Sequence, residues 1–311
     1  WRISDLVLSS WPRRASEAKT GRAVFGDKKN KGKIQQYLKF PFYKDKVPEE
    51  DEYVIEVKDE VVIDPVLKDY ITKTNQPFGY VPVEPGCGSL IGFKIAQKIL
   101  GSKIITVSGH LSKMAEHQQP FSVIVADNAA ATALALSRYN NGVLAFAGDG
   151  FTLEYLSSLM AAAKNESNFI YICYNNSGYN LLKRISDITY FSKMLDCTYL
   201  AAASISHPED YIRKLIKAKS MPGFRFIDLF SPCPNLGGFE SADSVHVARM
   251  AVETGIWPLY EKVDGKKEVT LKLPRLEPVE RYFNIQKMKI NEAKKISMQE
   301  RVTKSWKILI S

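Results

Sequence analysis

The sequence predicts an α/β fold with a doubly wound, mostly parallel sheet. Three observations support this class: short apolar runs recur along the chain, helix-like stretches separate them, and turns rich in glycine, asparagine or proline follow them. Such runs are typical of strands buried on both faces, and the intervening helices provide the crossovers that parallel strands require. We expect an N-terminal arm before this sheet and a C-terminal helical extension after it.

Length and composition describe a globular protein. The chain has 311 residues, of which 45% are hydrophobic, enough for one large or two ordinary domains. No apolar run approaches the roughly 18–20 residues of a membrane span, and the start shows no signal-peptide pattern. The four cysteines are scattered, so we expect reduced thiols in a cytoplasmic protein rather than a disulfide framework.

The charge of the chain bears on its partners. A formal net charge of +9 favours acidic ones, such as another subunit or an acidic electron carrier. Nucleic acid is not expected, because no arginine-rich or aromatic RNA-binding motif is present. A membrane is not expected either, because the sequence contains no spanning segment.

The first 78 residues form the predicted arm. Basic residues dominate positions 2–33 and acidic residues positions 45–60, with no periodic apolar pattern. We expect this arm to pack on the core or on a neighbouring chain. The sheet domain then spans 79–235, and a C-terminal region spans 236–311.

Turns, helices and strands alternate at the start of the sheet domain. A turn rich in proline and glycine at 82–89 precedes an apolar helix over 91–100. Residues 101–109 predict a strand that runs into a glycine turn. The alanine- and valine-rich residues 121–138 predict a buried helix, and residues 142–147 predict the next buried strand.

A glycine turn, Gly148-Asp149-Gly150, follows that strand. Residues 169–174 predict a further strand, which ends at the pair Asn175-Asn176. The order strand, turn, helix, strand predicts a parallel crossover. The helix between them has its apolar residues spaced for one face: Leu153, Leu156, Leu159, Met160 and Ala163.

The rest of the chain continues the alternation. We predict strands at 199–204 and 224–230, helices at 208–217 and 242–256, a loop and short helix covering the site at 181–196, and a lysine-rich helix from Arg281 that lies on a surface or a partner. Parallel strands end at one edge of a sheet, where ligands bind. Five turns should therefore converge at that edge: 84–89, 109–112, 148–150, 175–178 and 231–234.

Asp149 would repel a phosphate group bound at its glycine turn. A hard cation resolves the conflict, since Mg²⁺ prefers oxygen ligands and often shares them with phosphates. The predicted magnesium ligands are the Asp149 carboxylate, the Asn176 side-chain oxygen and a backbone carbonyl assigned to Gly178. A lone Gly-Asp-Gly sequence is usually only a turn. Here the spacing to the asparagine pair resembles the thiamine-diphosphate signature, and the flanking strands favour diphosphate binding over a plain turn.

The chain also resembles the beta subunits of the 2-oxoacid:ferredoxin oxidoreductases, the pyruvate synthase family, over residues 80–311. The motifs that carry this resemblance are Pro85-Gly86-Cys87-Gly88, Val107-Ser108-Gly109, Gly148-Asp149-Gly150 and residues 171–176, 203–210, 231–234, 251–261 and 274–280. It implies a sheet of the thiamine-diphosphate-binding type. The implied cofactor-binding residues are Gly86, Cys87, Gly88, Ser108, Gly109, Gly148, Asp149, Gly150, Asn176, Gly178 and Tyr179.

The resemblance implies a subunit of an enzyme that decarboxylates a pyruvate-like 2-oxoacid and passes electrons to ferredoxin or a similar acidic carrier. Its implied cofactors are thiamine diphosphate and Mg²⁺, and CoA is a possible second substrate. The implied partner is an alpha-type subunit, with gamma- or delta-type subunits in some assemblies. In the family that partner supplies the glutamate that activates the cofactor, so no catalytic residue is assigned within this chain.

The family's beta subunit also holds a [4Fe–4S] cluster on four cysteines, and here the sequence departs from it. The four positions fall on Glu84, Cys87, Ser112 and Cys233, so two thiolates are missing. Because such clusters are normally held by four thiolates, we predict no cluster in this chain. Cys173 and Cys197 lie outside these positions and are predicted to be ordinary buried thiols.

A second departure lies before the predicted helix at 121–138, where the family has a His-Gly-Arg stretch. This chain has residues 123–128 there, and His110 and His117 are the candidates for its role. These departures leave two alternatives open: a non-oxidative thiamine-dependent decarboxylase or carboligase subunit, and a non-catalytic structural subunit that kept the fold. The sequence does not reveal which 2-oxoacid is the substrate.

Overall fold

An eight-stranded sheet forms the centre of the part of the chain that the computed structural model describes, residues 81–165, 167–176, 191, 195–286 and 290–310. These residues all belong to one compact unit. The predicted arm at 1–78 lies outside them, as do Gly178, Tyr179 and most of the segment predicted to cover the site. The strands are β1 Ile104–Val107, β2 Ser122–Val125, β3 Val143–Gly148, β4 Phe169–Asn175, β5 Tyr199–Ser204, β6 Phe224–Phe230, β7 Tyr260–Val263 and β8 Lys266–Val269.

Helices connect these strands and flank the sheet. They are α1 Gly88–Leu100, α2 Ala129–Ser137, α3 Asp149–Glu154, α4 Leu156–Lys164, α5 Pro208–Ser220, α6 Pro234–Gly237, α7 Ser244–Glu253, α8 Val279–Ile285 and α9 Glu292–Ile310, with 3₁₀ helices at Gly109–Glu116 and Ser241–Asp243. No helix among the described residues is both long enough and apolar enough to span a bilayer.

The sheet has the order β2-β1-β3-β4-β6-β5-β7-β8. The first six strands pair in parallel, and β7 and β8 add antiparallel pairs at one edge. The chain leaves β1 towards β2 on one side and later continues from β3 towards β4 on the other. This reversal makes β1 and β3 a topological switch point, and it confirms the predicted doubly wound, mostly parallel fold.

Helices cover both faces of the sheet, which explains the unbroken apolar runs of its central strands. All residues of β3, β4 and β5 are buried. One face carries Phe146, Ile172 and Tyr174 and packs against α1, α5 and α7. The opposite face carries Ala145, Tyr171 and Cys173 and packs against α2 and α4.

The predicted helix at 121–138 is wrong in its first part. Residues 122–125 form the edge strand β2, and the helix α2 begins only at Ala129. Both end residues of β2 are exposed, as suits an edge strand. The Asn128 side chain accepts a hydrogen bond from the Ala131 N–H at 3.0 Å, and this cap sets the start of α2.

The single helix predicted after the glycine turn is also wrong in detail. Gly148 is the last residue of β3 and Asp149 the first of α3, so no separate turn lies between them. The helix breaks at Tyr155, whose φ of −104° and ψ of 32° depart from helical values, and continues as α4. Within α4, Leu159 is buried whereas Met160 is 36% exposed, so the predicted apolar residues do not all lie on the buried face.

The C-terminal region contributes more than helices. β7 and β8 form a hairpin whose turn residues, Asp264 and Gly265, both have positive φ, as a type I′ turn requires. The lysine-rich helix predicted from Arg281 corresponds to two helices, the end of α8 and the whole of α9. α9 packs against the core of its own chain. Its buried residues, Met298, Val302 and Trp306, recur at intervals of one helical turn.

Candidate functional site

The carboxyl ends of β1 and β3 meet at the switch point of the sheet. Val107 pairs with Phe146 in register, and the Ser108 N–H donates to the Phe146 carbonyl at 3.4 Å. The chain segments that follow these strands, Ser108-Gly109 and Asp149-Gly150, therefore lie side by side. A crevice of this kind is where doubly wound sheets bind ligands.

Asp149 is the charged residue at this point. It is the first residue of α3 and only 3% exposed. Burial of a carboxylate is unfavourable unless cations or hydrogen-bond donors surround it. An acidic side chain held in this position is therefore suited to binding a metal ion that a phosphate-bearing ligand shares.

The asparagine pair lies beside Asp149. Gly148 pairs with Tyr174 across β3 and β4, so the residues that follow, Asp149 and Asn175, are neighbours at the sheet edge. Asn175 ends β4, and the half-buried Asn176 comes next. The two predicted oxygen ligands with described positions, Asp149 and Asn176, thus follow adjacent strands.

Ser108 adds a polar group to the same edge. It is 1% exposed, and its hydroxyl oxygen has no hydrogen-bond partner among the residues that the structure describes. An unsatisfied buried hydroxyl is unfavourable, and a bound polar ligand removes the cost. This hydroxyl, with the Asp149 carboxylate and the Asn176 amide, gives the edge a set of oxygen groups that fits a diphosphate and its Mg²⁺.

Tyr174 forms one wall of the site, and the sequence analysis did not identify it. Its hydroxyl donates to the Ser108 carbonyl at 2.6 Å, and its ring stacks on Phe146 with centroids 5.2 Å apart. Burial raises its pKa above the ordinary value, so the phenol stays protonated and remains a donor. The alternation of β4 signals this position, because Tyr174 must face away from Cys173 and Asn175.

Two glycines permit this position of Tyr174. A Cβ at Gly109, where φ is +77°, would overlap the Tyr174 hydroxyl. A Cβ at Gly148 would lie 3.2 Å from the tyrosine ring. Only glycine therefore fits beside the ring without displacing it.

A thiol and an imidazole lie next to Tyr174. Cys87 Sγ is 3.3 Å from His110 Nε2, and the His110 ring meets Tyr174 edge-on at 5.2 Å. Burial raises the pKa of the Cys87 thiol to about 11 and lowers that of His110, so both groups are neutral at pH 7. Of the two candidate histidines, His110 is therefore the one that the structure brings to the site.

The turn at 231–233 reaches the site from β6. The Ser231 N–H donates to the Asn175 carbonyl at 2.8 Å, and the Ser231 and Ser89 hydroxyls lie 3.5 Å apart. A Cβ at Gly88 would be 2.7 Å from the Pro232 carbonyl oxygen, so the two backbones are in direct contact. The described parts of the five predicted turns thus converge at one edge of the sheet.

The residues at the four cluster positions do not match a cubane ligand set. Cys87 and Cys233 are the two thiols, whereas Glu84 is exposed and Ser112 lies half-buried on the 3₁₀ helix Gly109–Glu116. Throughout the described ranges, no group of three or more histidine, cysteine, aspartate or glutamate side chains has the arrangement of a metal site. Cys173 and Cys197 are both buried, at 0% and 8% exposure, as predicted.

Comparison with known proteins shows which family the chain resembles. Residues 128–229 match the model of the family described as thiamine pyrophosphate enzyme, C-terminal TPP binding domain. The chain is 34% identical over 262 residues to the pyruvate synthase subunit PorB of Methanothermobacter thermautotrophicus, covering 70% of this chain and 91% of that protein. It is 29% identical over 251 residues to the ketoisovalerate oxidoreductase subunit VorB of Pyrococcus horikoshii, covering 65% and 81%.

Solved structures are also similar to the chain, and one of them has lower sequence identity than the relatives above. It is 2-oxoglutarate:ferredoxin oxidoreductase from Magnetococcus marinus with 2-oxoglutarate, coenzyme A and succinyl-CoA bound. The match has a TM-score of 0.40 and 20% sequence identity, and it covers 58% of this chain and 79% of that one.

Proposed function

Because the chain belongs to the family of 2-oxoacid:ferredoxin oxidoreductase beta subunits that includes pyruvate synthase PorB, we propose that it is the subunit that holds thiamine diphosphate and Mg²⁺ in such an enzyme. The observation that carries this proposal is the buried Asp149 at the switch point, beside the unsatisfied Ser108 hydroxyl. Both residues follow strands whose carboxyl ends form the ligand edge of the sheet.

The proposed ligands divide between metal and diphosphate. Asp149 and Asn176 would supply side-chain oxygens to Mg²⁺, and the Gly178 backbone carbonyl would be the third ligand from the protein. Ser108 donates a hydrogen bond to the diphosphate. Backbone at Gly86, Gly88, Gly109, Gly148 and Gly150, with the neighbouring Cys87 and Tyr179, lines the rest of the cofactor site.

Bound thiamine diphosphate supplies an electron sink for decarboxylation of a 2-oxoacid. The chain's own residues contribute position and environment. The Tyr174 and Phe146 rings form an apolar wall that excludes water beside the polar groups, and a low local dielectric strengthens the interactions of Asp149. The Tyr174 hydroxyl fixes the segment at Ser108 by its hydrogen bond to the carbonyl.

We propose that partner subunits complete the enzyme. An alpha-type subunit supplies the glutamate that activates the cofactor, and gamma- or delta-type subunits carry clusters that pass electrons to ferredoxin. The two alternatives, a non-oxidative enzyme and a structural subunit, are not favoured by the family to which the chain belongs. A cytoplasmic location agrees with four cysteines that form no disulfide.

Replacement of Asp149 tests the proposal. Asp149→Ala removes an anionic metal ligand, so thiamine diphosphate should bind roughly 100-fold more weakly or worse at a fixed Mg²⁺ concentration, measured by titration calorimetry. The matched control is Glu268→Ala, which removes an exposed carboxylate on β8 at the far edge of the sheet and should bind normally. Circular dichroism establishes that both variants fold. An Asp149→Ala protein that retains stoichiometric cofactor after dialysis would contradict the proposal.

A further inference from the structure

Two turns lie against each other in an antiparallel register beside the proposed cofactor site. The Ser89 and Ser231 hydroxyls are 3.5 Å apart. One residue further along each segment, a Cβ on Gly88 would be 2.7 Å from the Pro232 carbonyl oxygen. The next facing pair in this register is Cys87 and Cys233. Backbone contact at the adjacent pair, Gly88 and Pro232, favours the short Cα separation that a disulfide requires.

The two thiols differ in their surroundings. Cys87 is 8% exposed and its Sγ contacts His110 Nε2 at 3.3 Å, whereas Cys233 is half-buried and more accessible to solvent. The Cys233 thiol contributes, after burial, to raising the pKa of Cys87, an electrostatic effect that requires the two groups to be close. Redox-sensitive cysteines are typically accessible thiols that lie next to a second, resolving cysteine.

We propose that Cys87 and Cys233 form a reversible dithiol–disulfide site that reacts with low-molecular-weight disulfides. Such a site would give Cys87 and Cys233 a shared role at positions where Glu84 and Ser112 replace the usual thiolate ligands of a cluster. It does not depend on the proposed function, since the disulfide can form whether or not the chain binds thiamine diphosphate.

The chemistry is a pair of thiol–disulfide exchanges. The Cys233 thiolate attacks a small disulfide, forms a mixed disulfide and releases one small thiolate. Cys87 sulfur then attacks the Cys233 sulfur, the mixed bond breaks and a second small thiolate leaves. Each leaving thiolate takes up the proton that its attacking cysteine has given up. The small disulfide is thereby reduced to two thiols while the protein dithiol is oxidised.

Closing this bond would join two turns of the site. The turn at 84–87 leads into α1, and the turn at 231–233 follows β6 and is hydrogen-bonded to Asn175. The bond would therefore fix both segments to each other beside β4. A covalent link between positions so far apart in sequence also restricts the unfolded chain, so the oxidised protein should unfold at a higher temperature.

The test is a thiol count and a peptide map of the full chain. The protein is incubated with oxidised glutathione under anaerobic conditions, unfolded in an alkylating agent and digested without reductant. We expect two alkylated cysteines per chain where the reduced protein has four, and a linked peptide pair containing Cys87 and Cys233. Dithiothreitol should restore all four alkylated thiols and lower the unfolding temperature again.

Variants assign the bond. Cys87→Ser and Cys233→Ser should each abolish the linked pair, and the second should also abolish the mixed disulfide. The matched control is Cys197→Ser, which removes another buried thiol and should leave the link intact. Four alkylated thiols after oxidation, or a link through Cys173 or Cys197, would overturn the proposal. So would about four irons per chain in the anaerobic protein that are lost in Cys87→Ser.

Discussion

At the scale of single residues, Tyr174 connects the two halves of the site. Its hydroxyl donates to the Ser108 carbonyl, and its ring contacts Phe146 on one side and His110 on another. Asp149 also contributes, after burial, to the raised pKa of Tyr174. The residue therefore lies between the switch point, where the metal ligands are proposed, and the thiol pair.

The Tyr174 hydroxyl can be removed without changing the ring. Tyr174→Phe leaves a buried carbonyl at Ser108 without this donor, so the free energy of unfolding should fall by about 1 kcal/mol. Urea denaturation measures the change. Tyr139→Phe is the matched control, because Tyr139 is 87% exposed and its hydroxyl contacts water. If both variants lost the same stability, the hydrogen bond to Ser108 would not be the cause.

The residue scale also shows what a sequence pattern can and cannot reveal. Asp149 and Asn176 stand out because their spacing resembles a known signature. The orphaned Ser108 hydroxyl and the contact between Cys87 and His110 depend on how three separate turns pack, which no local pattern encodes. Tyr174 falls between these cases, since strand alternation gives its face but not its partners.

At the scale of elements, the glycine turn after β1 is shaped by its contact with β4. Gly109 and Gly142 have nearly the same backbone conformation, with φ of +77° and +75°. A Cβ at Gly142 would meet no atom within 4 Å, whereas one at Gly109 would overlap the Tyr174 hydroxyl. Comparing alanine at Gly109 and at Gly142 therefore separates two free-energy costs. One is the cost of a Cβ at positive φ, and the other is the cost of steric overlap with Tyr174.

Alanine at these two glycines gives a direct comparison. Gly142→Ala should cost about 1–2 kcal/mol of unfolding free energy, because alanine is disfavoured at positive φ. Gly109→Ala should cost a further ~1–3 kcal/mol from overpacking. The double variant Gly109→Ala with Tyr174→Phe should lose less stability than the sum of its single changes, because it removes the crowded hydroxyl. Strict additivity in denaturation experiments would exclude this contact.

The sequence predicts the strands correctly where the sheet is buried on both faces. The runs at β3, β4, β5 and β6 predict their strands, because burial on both faces selects mainly apolar residues; Arg225 and Asp228 are the charged exceptions in β6. Edge elements were missed for the opposite reason. β2 is half-exposed and precedes an alanine-rich helix, so the two appeared as one helix.

The β7–β8 hairpin was missed although its signal is present. Asp264 and Gly265 form the dipeptide that a type I′ turn favours, but β8 has three exposed residues of four and no apolar alternation.

The break between α3 and α4 at Tyr155 has no signal in the sequence, because the residues around it are compatible with a continuous helix. Met160, predicted to lie on the apolar face, is partly exposed in α4.

At the scale of the whole molecule, this chain is proposed to be one component of a larger enzyme. The ligand edge of the sheet carries the proposed metal ligands Asp149 and Asn176 beside the Ser108 hydroxyl and the Tyr174 ring, and family membership implies partner subunits. The chain alone is proposed to lack the activating glutamate. It should bind thiamine diphosphate and still fail to turn over a 2-oxoacid at rates typical of enzymes, roughly 1 s⁻¹ or faster.

The most direct test of the central claim is the cofactor content of the complex purified without oxygen, combined with its activity. We predict one thiamine diphosphate and one Mg²⁺ per chain, together with reduction of ferredoxin that depends on a 2-oxoacid. The same complex assembled with Asp149→Ala should contain neither cofactor and show no reduction, whereas the Glu268→Ala complex should match the unchanged enzyme. A complex that reduces ferredoxin fully with Asp149→Ala, or that contains no thiamine diphosphate when active, would contradict the account.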